Sequence, residues 1–375
     1  MKYIAFYDTP ELKSENRYVN AAARGVIEYM IAALSSVNNV EVISPGRTLH
    51  TKGFYKSKKI QLSDNAFLKV PFSFGVKTKI GRVLSLAWTQ VWLFIYLFFH
   101  THRGEKVVFY HSLSLMKMIS VLHSIKGIKP ILEFREIYSD INPVSKKLTK
   151  REHKYYKCAY AFIFPSKAIK NHLDIGDAPY VLAPGSYLTH KYMDSSFGDG
   201  KTHLVYAGNL RKDKGGAYLA ADAAKYLPEN CIIHILSGSY SEQGLKNFKE
   251  KMNEVFEDSK CSIIFEGAKF GEEFYQFLNK CDIGLATQND GSFSNTSFPS
   301  KILTYMGCGL KVVAPPIDAV RLSPVGDLVS YYQSFESKEV ATTIEECARK
   351  KITDVQSRIE ELDKELRKDL KEILN

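Results

Sequence analysis

The chain has 375 residues, of which 45% are hydrophobic and 25% are charged, and its formal net charge is +10. That length indicates two domains rather than one core, and that composition excludes collagen-like, low-complexity and disordered proteins. The six cysteines are scattered without a CxxC pair, which argues against a disulfide framework or a zinc site and indicates reduced thiols in a cytoplasmic protein.

The first 44 residues predict a strand, a helix and a second strand. The apolar run at residues 2–7 is too short for a signal-peptide core and predicts the first strand. Apolar residues at helical spacing predict a helix over residues 20–34, and residues 39–44 predict the second strand. The loop before the helix lacks GxGxxG, yet it should open at the mouth of a parallel sheet. Its polar candidates for contact with a ligand are Asn16, Arg17 and Asn20.

A basic and aromatic region is followed by a strongly apolar stretch. Between Arg47 and Arg82 there are nine Lys or Arg residues and one acid, Asp64, a balance that attracts polyanions. The apolar residues 83–99 are fewer than the roughly 20 that a spanning helix needs, so they form either a buried core helix or an interfacial one. We interpret them as a core helix, with the basic region contacting the cytoplasmic membrane surface. Nucleic acid is not expected, because no reader module is recognisable.

Two strands in the first half end in candidate site residues. Residues 106–110 predict a strand that ends at His111, which lies either in a ligand site or in the core. Residues 130–134 predict a strand that runs directly into Arg135 and Glu136. Ligands gather beyond the carboxyl ends of parallel strands, where a Glu can act as a general base and an Arg can offset phosphate charge. The alternative is a surface ion pair between Arg135 and Glu136 without a chemical role.

The second half repeats the alternation of strands and helices. Strands are predicted at residues 203–207, 231–236, 262–265, 283–286 and 311–314. Such alternation indicates a parallel sheet covered by helices on both faces. We therefore predict an α/β protein of two Rossmann-like domains with parallel sheets facing a central cleft. The predicted divisions are residues 1–190, residues 201–335 and a helical tail at residues 336–375.

Two loops of the second half have the chemistry of anion-binding corners. YAGNLRKDKGG places Gly208, Asn209, Arg211 and Lys214 after a strand, and the alternative is a flexible basic turn. NTSFPSKILTYMGCGLKVVAP places hydroxyls and a cation at the start of a helix. The alternative there is an ordinary helix capped by Ser300. The candidate residues of this second loop are Thr296, Ser297, Ser300 and Lys301.

These two segments resemble the donor site of family-4-type bacterial glycosyltransferases with the GT-B fold. The resemblance implies that the two loops hold the diphosphate and ribose of a sugar nucleotide, and that Gly267 lies near the base. Thr304 and Thr296 stand where the family usually has glutamates that bind the ribose and the donor sugar. Asn209 stands where the family has an arginine, so Arg211 or Lys212 would have to replace it.

The resemblance also implies a function. ENRYVN and EFREIYSD resemble acceptor-side segments of the family, which assigns Asn16, Arg17 and Asn20 to the acceptor side and a catalytic role to Glu136 and Arg135. His111, at the end of its predicted strand, is the remaining acceptor-side candidate. The implied activity is a retaining, metal-independent glycosyltransferase of the hexosyltransferase type. It would move a sugar from a UDP- or GDP-type donor, without a cofactor, to a lipid-linked glycan in bacterial surface polysaccharide biosynthesis. The chain would be cytoplasmic and peripheral on the membrane. The alternatives are a non-catalytic GT-B partner subunit and a sugar-nucleotide epimerase.

Overall fold

The structure is a computed structural model that describes residues 1–20, 23–49, 52–76, 78–137, 154–193, 196–288, 296–351 and 354–375. The chain forms two compact units. Unit 1 comprises Met1–Pro165, Ile169–Ser186 and Glu365–Asn375, and unit 2 comprises Ser166–Ala168 and Tyr187–Lys364. Residues 187–190, which the sequence analysis included in the first division, therefore belong to unit 2.

Unit 1 is built on short strands rich in β-branched and aromatic residues, which suit a buried sheet. Its strands are β1 Lys2–Ile4, β2 Val40–Ile43, β3 Gly53–Tyr55, β4 Lys58–Ser63, β5 Ala66–Val70, β6 Ser73–Gly75, β7 Lys106–Tyr110, β8 Lys129–Glu133, β9 Ala161–Phe164 and β10 Tyr180–Leu182. In the described part of the chain, eight of them form a sheet in the order β10-β9-β8-β7-β1-β2-β5-β4. Neighbouring strands in this sheet are parallel except β4 and β5, and β3 pairs antiparallel with β6 in a separate ribbon.

The order of these strands creates a switch point. β1 lies between β2 and β7, so the loops that leave β1 and β7 start in opposite directions from one edge of the sheet. In parallel sheets such a point is where ligands bind. The helices of this part of the chain are α1 Arg24–Ser35, α2 Lys79–His100, α3 Met116–Lys126 and α4 Lys167–His172.

The apolar stretch at residues 83–99 lies within α2 but is not a core helix, so that prediction was wrong. Only 22% of the most apolar 18-residue window of α2 is buried, and the side chains of Val83 and Phe99 are 66% and 73% exposed. Among the described residues, α2 is the one helix that is both long enough and apolar enough to cross a membrane, judged by length and composition. Apolar content alone predicted burial, and the packing leaves one face of the helix uncovered.

Unit 2 contains a second parallel sheet. Its strands are β11 Thr202–Ala207, β12 Cys231–Leu236, β13 Ser262–Gly267, β14 Ile283–Leu285, β15 Lys311–Ala314 and β16 Val329–Tyr331. Within the described ranges they form a six-stranded sheet in the order β13-β12-β11-β14-β15-β16, and every neighbouring pair is parallel. The switch point of this sheet lies between β11 and β14.

Helices cover the sheet of unit 2 and close its core. They are α5 Gly216–Ala223, α6 Glu242–Asp258, α7 Gly271–Asn279, α8 Lys301–Gly307, α9 Asp318–Arg321, α10 Ser337–Arg349 and α11 Val355–Leu374. Strand residues such as Leu204, Ile233 and Leu285 pack with the apolar face of α10 in one buried cluster. The first part of α11 belongs to unit 2, where Gln356 donates to the Gly307 carbonyl at 2.9 Å, and its last residues belong to unit 1.

Candidate functional site

The candidate donor site is in unit 2, at the switch point of its sheet. Leu204 of β11 lies opposite Ile283 of β14, so the loops that follow these two strands leave the same edge of the sheet. One loop, residues 208–215, leads to α5, and the other leads from β14 to α8. The structure therefore brings together the two loops that the sequence singled out, although 93 positions separate Gly208 from Lys301.

Tyr305 fixes α8 against the two central strands. Its hydroxyl accepts a hydrogen bond from the Ala207 amide at 2.8 Å, and its ring lies against Gly284 of β14. A Cβ atom at Gly284 would lie 2.2 Å from that ring, so only glycine allows this approach. Tyr305 thereby holds the first turn of α8 beside the end of β11.

Lys301 is the central residue of the site. Its Nζ lies 3.9 Å from the centroid of the Tyr206 ring, and it would be 2.9 Å from a Cβ atom placed on Gly208. No hydrogen bond or ion pair joins its ammonium group to the residues that the structure describes. Burial lowers the pKa of Lys301 to about 7, because the charged form loses hydration without gaining an anion. A bound anion would stabilise the charged form of this lysine in place of the lost hydration.

The loop at residues 208–215 is a compact turn next to Lys301. The side chain of Asn209 accepts a hydrogen bond from the Arg211 amide at 3.1 Å, an arrangement that Asn favours in turns. Gly215 has a φ of +66°, and a Cβ atom on Gly216 would lie 2.5 Å from the Thr287 carbonyl oxygen. Glycine is therefore required for the loop to reach the exit of β14.

Two of the three cations of this loop, Arg211 and Lys214, differ in their surroundings. The side chain of Arg211 is exposed and pairs with Asp213, with Nε donating to Oδ1 at 3.0 Å. Its guanidinium group is thus engaged within the loop, which weakens its case as a replacement for the family arginine. Lys214 is partly buried in the same loop.

The hydroxyl residues of the second loop flank Lys301. Thr296 is buried, Ser297 is partly buried and Ser300 is exposed. Ser300 has helical backbone angles and its side chain accepts no capping hydrogen bond, so the alternative of an ordinary helix capped by the Ser300 side chain is wrong. Thr304 lies one turn into α8, with its hydroxyl 3.4 Å from the Ser300 carbonyl oxygen. Because α8 has only seven residues, Lys301 and the loops define this site rather than the helix dipole.

Gly267 ends β13, two strands away from β11. Its φ is +71°, its carbonyl oxygen accepts from the Ser237 amide at 2.9 Å, and a Cβ atom there would meet nothing within 4 Å. This position is an open turn at the same edge of the sheet, further from Lys301 than the two loops.

In unit 1, Arg135 is part of a buried structural cluster. Its guanidinium group pairs with Glu133 of β8 and donates to the Ala183 carbonyl oxygen at 2.5 Å. The other oxygen of Glu133 accepts from the Tyr3 hydroxyl at 2.6 Å. The alternative of a surface ion pair between Arg135 and Glu136 is therefore wrong, and the guanidinium group with a predicted catalytic role is engaged in this buried cluster. Arg135 lies two residues beyond the end of β8 and pairs with Glu133, the last residue of that strand.

The carboxyl group of Glu136, which follows β8, makes no hydrogen bond or ion pair to the described residues. Partial burial raises the pKa of its carboxyl group, which is the direction that favours a carboxylate acting as a general base. His111 follows β7 and is buried, with its ring centroid 4.1 Å from that of Phe134. Burial lowers the pKa of His111 to about 3. His111 therefore belongs to the core, neutral and stacked. The residues at 138–140 that complete EFREIYSD lie outside the described residues.

Two of the three acceptor-side candidates in the loop after β1, Asn16 and Arg17, are held by contacts within unit 1. Arg17 is buried, pairs with Glu15 at 2.6 Å and donates to the Pro71 carbonyl oxygen at 2.9 Å. Its assignment to the acceptor side is corrected to a structural role. Asn16 has a φ of +45° and donates to the Leu49 carbonyl oxygen, so it shapes the turn. Asn20 is partly buried, and its carbonyl accepts from the Ala23 amide before α1 begins.

Sequence reasoning missed several residues that build these sites. They are Tyr206, Thr287 and Tyr305 in unit 2, and Glu133 and Tyr3 in unit 1. All except Thr287, which follows the predicted strand at residues 283–286, occupy positions that a strand or helix pattern assigned to the core. The available signal was a polar atom in an otherwise apolar segment, since a buried hydroxyl or carboxylate requires a partner. Among the described residues, no cluster of three or more His, Cys, Asp or Glu could hold a metal ion.

Comparison with known proteins finds structural relatives only. No protein-family model matches the chain, and no curated protein sequence matches it. HepE of Anabaena, in complex with UDP, superposes with a TM-score of 0.64 at 14% identity, covering 100% of this chain and 96% of that one. An alpha,alpha-trehalose-phosphate synthase (UDP-forming) of Burkholderia vietnamiensis superposes with a TM-score of 0.58 at 9% identity, covering 100% and 97%. The trehalose-6-phosphate synthase OtsA gives 0.63, 8%, 100% and 96%.

These matches define the architecture of the chain. Two parallel α/β sheets, each with a switch point, make it a protein of two Rossmann-like domains. The full-length superpositions identify that arrangement as the GT-B fold. At identities of 8–14% the likeness establishes the fold and leaves the activity to be argued from the site.

Proposed function

We propose that this protein is a glycosyltransferase that binds a nucleotide-diphosphate sugar in unit 2. The observation that carries the proposal is Lys301, a partly buried cation without an anionic partner among the described residues, between two loops at a switch point. A diphosphate supplies the missing charge and accepts hydrogen bonds from loop amides. Its proposed ligands are the Lys301 and Lys214 ammonium groups, the backbone at Gly208 and the hydroxyls of Ser297 and Ser300.

The same contacts would assist the departure of the nucleotide. When the bond between the sugar and the diphosphate breaks, negative charge grows on the bridging oxygen. A preorganised cation stabilises that charge, and its effect is larger where burial excludes water. This accounts for a lysine whose desolvation is unfavourable in the empty site. UDP is the first candidate nucleotide, because HepE binds UDP.

The acceptor and the course of the reaction form the finer part of the proposal. Glu136, with its raised pKa and unpaired carboxyl group, is the proposed acceptor-side carboxylate of unit 1. The transfer is proposed to be a retaining, metal-independent hexosyl transfer to a lipid-linked glycan. The cellular role is proposed to be bacterial surface polysaccharide biosynthesis at the cytoplasmic face of the membrane. These assignments come from the sequence resemblance.

The test is calorimetric titration of the purified protein with UDP, GDP, CDP and ADP. Lys301→Ala should weaken binding of the preferred nucleotide about tenfold or more, since a charge-assisted hydrogen bond contributes about 1.5–3 kcal/mol. Lys214→Ala should weaken it as well. Lys249→Ala is the matched control, because Lys249 is an exposed lysine on α6 of the same unit. It should bind as the parent protein does.

The outcomes separate the candidate functions. No binding of any nucleotide, or equal binding by all three variants, would overturn the donor site and leave a GT-B partner subunit as the better account. Binding without sugar transfer to any lipid-linked acceptor would support a catalytically silent subunit. Release of an altered free sugar nucleotide would identify an epimerase. The replacement of the family glutamates by Thr296 and Thr304 is what makes these controls necessary.

A further inference from the structure

Over its first half, helix α2 buries polar and small side chains and exposes apolar ones. Its protein-facing stripe recurs every four residues and is polar or small over its first half, where Ser85 and Thr89 are at most 1% exposed. The opposite stripe also recurs every four residues and is apolar throughout. The buried stripe is Gly81, Ser85, Thr89, Leu93 and Leu97. The exposed stripe is Val83, Ala87, Val91, Ile95 and Phe99.

This pattern is the reverse of the one that water selects. A surface helix of a soluble domain turns its aliphatic side chains inward and its polar ones outward. Where a helix faces lipid, small and polar residues occupy the protein contact and aliphatic ones face outward. In α2 the exposed fractions of Val91 and Ile95 are 51% and 48%. Contiguous exposure of this kind marks a surface that an apolar partner covers.

The surroundings of α2 carry positive charge. From residue 65 to residue 104 the sequence contains five Lys or Arg and no Asp or Glu. Lys79 and Lys56 are exposed near the start of the helix and on the neighbouring ribbon. Phe54 is 80% exposed and stacks on Phe72. An anionic lipid surface complements both the charge and the apolar stripe, because it offers phosphate groups above hydrocarbon.

The contacts of the buried face decide between lying on a membrane and crossing it. Ser85 donates to the Phe74 carbonyl oxygen at 2.9 Å near one end of α2. Near the other end the Tyr96 hydroxyl donates to Glu41 at 2.6 Å and accepts from Lys69 at 2.9 Å. A spanning orientation would carry Glu41 and Lys69 into hydrocarbon. One face of the helix is thus tied to unit 1 along its length, and only the other face can enter lipid.

We propose that α2 lies in the plane of an anionic membrane leaflet, with its exposed stripe inserted among the acyl chains. The basic residues before it contact lipid headgroups. The proposal concerns a lipid partner and does not depend on glycosyl transfer. It replaces the interpretation of residues 83–99 as a core helix and extends membrane contact from the basic region to the helix itself.

The first experiment is sedimentation with vesicles that contain about one third phosphatidylglycerol in phosphatidylcholine, compared with phosphatidylcholine alone. The parent protein should bind the anionic vesicles much more tightly. V91E/I95E should lose at least tenfold in vesicle affinity while keeping its thermal transition and its nucleotide binding. Phe256→Glu is the matched control, since Phe256 is 71% exposed on a helix of unit 2. It should bind vesicles as the parent does.

Tryptophan fluorescence tests the orientation. The chain has two tryptophans, Trp88 and Trp92, and both lie on α2. In a W88F/W92F background, single Val83→Trp and Phe99→Trp probes should be quenched equally by lipids labelled at one shallow depth. A spanning helix would place these probes about 24 Å apart in depth, from a rise of 1.5 Å per residue.

Three results would overturn the proposal. The first is vesicle binding by V91E/I95E at the parent level. The second is unequal quenching depth of the two probes. The third is a dimer of the parent protein that V91E/I95E separates, with no vesicle binding by either, because the stripe would then cover a second copy of this chain.

Discussion

At the scale of the residue, the surroundings of Lys301 bear most directly on ligand binding, because they set the charge of its amino group. An isolated lysine titrates near 10.4, and burial against the Tyr206 ring lowers the pKa of Lys301 to about 7. A cation stacked on an aromatic face gains some attraction, yet less than it loses in hydration. The free site is therefore only partly charged near neutral pH, and an arriving diphosphate would restore the proton.

This leads to a prediction on proton linkage. At pH 8 the ammonium of free Lys301 is mostly deprotonated, whereas a bound diphosphate raises its pKa and keeps it charged. Binding of a nucleotide sugar, whose esterified diphosphate does not titrate in this range, should therefore take up close to one proton at pH 8 and almost none near pH 5.5, where the free lysine already carries it. Titration calorimetry in Hepes and in Tris at pH 8, and in acetate and in Mes at pH 5.5, measures this number from the difference in apparent enthalpy between the two buffers at each pH.

The control for this linkage is Lys301→Arg. An arginine keeps its proton throughout this pH range, so the proton uptake should vanish while part of the affinity remains. Equal apparent enthalpies in both buffers at pH 8 for the parent protein would show that Lys301 is already charged in the empty site. The electrostatic argument for the donor site would then fail even if nucleotide binds.

At the scale of the element, the donor site depends on how closely α8 approaches β14. The approach is possible because Gly284 has no side chain, so that the Tyr305 ring can lie on the strand and reach the Ala207 amide. A methyl group at this position would push the helix away from the sheet, and with it the first-turn Lys301. The geometry of the site is thus set one layer beneath the residues that would touch the ligand.

Gly284→Ala should destabilise the protein by about 1–3 kcal/mol, the usual cost of overpacking a close contact, and should weaken nucleotide binding. Urea unfolding and calorimetry measure the two effects. The double variant G284A/Y305A should be less destabilised than the sum of the single changes, because the smaller side chain makes room for the methyl group. Gly25→Ala is the control, since a Cβ atom there meets nothing within 4 Å and alanine favours the helix. Additive effects in the double variant would contradict this account.

At the scale of the whole molecule, hydrophobic periodicity predicted several strands and the start of the two candidate loops, whereas β3 to β6 and β16 were not predicted. Residues 106–110, 231–236 and 311–314 were predicted with the bounds that the structure has. Strand ends fix where loops begin, so the site's location followed. Side-chain pairing and solvent exposure could not be predicted from periodicity, because both depend on three-dimensional neighbours. Arg135 pairs with Glu133, the last residue of β8, and α2 has an apolar face that its own unit does not cover.

The candidate donor site of unit 2 and the apolar face of α2 in unit 1 have different proposed partners. Hydrogen exchange can separate the effects of these two partners. Nucleotide should give its largest gain in protection at residues 208–216 and 296–304, since binding orders amides that face the ligand. Anionic vesicles should instead protect the peptides of α2 and the β3–β6 ribbon, where lipid replaces water. Mass spectrometry of the parent protein with each partner alone resolves these segments. Protection of α2 by nucleotide, with none from vesicles, would mean that nucleotide binding, and not contact with a membrane, covers its apolar face. Protection of the unit 2 loops by vesicles alone would place the anion-binding corners at a lipid headgroup, and the lysines there would then serve membrane attachment instead of sugar transfer.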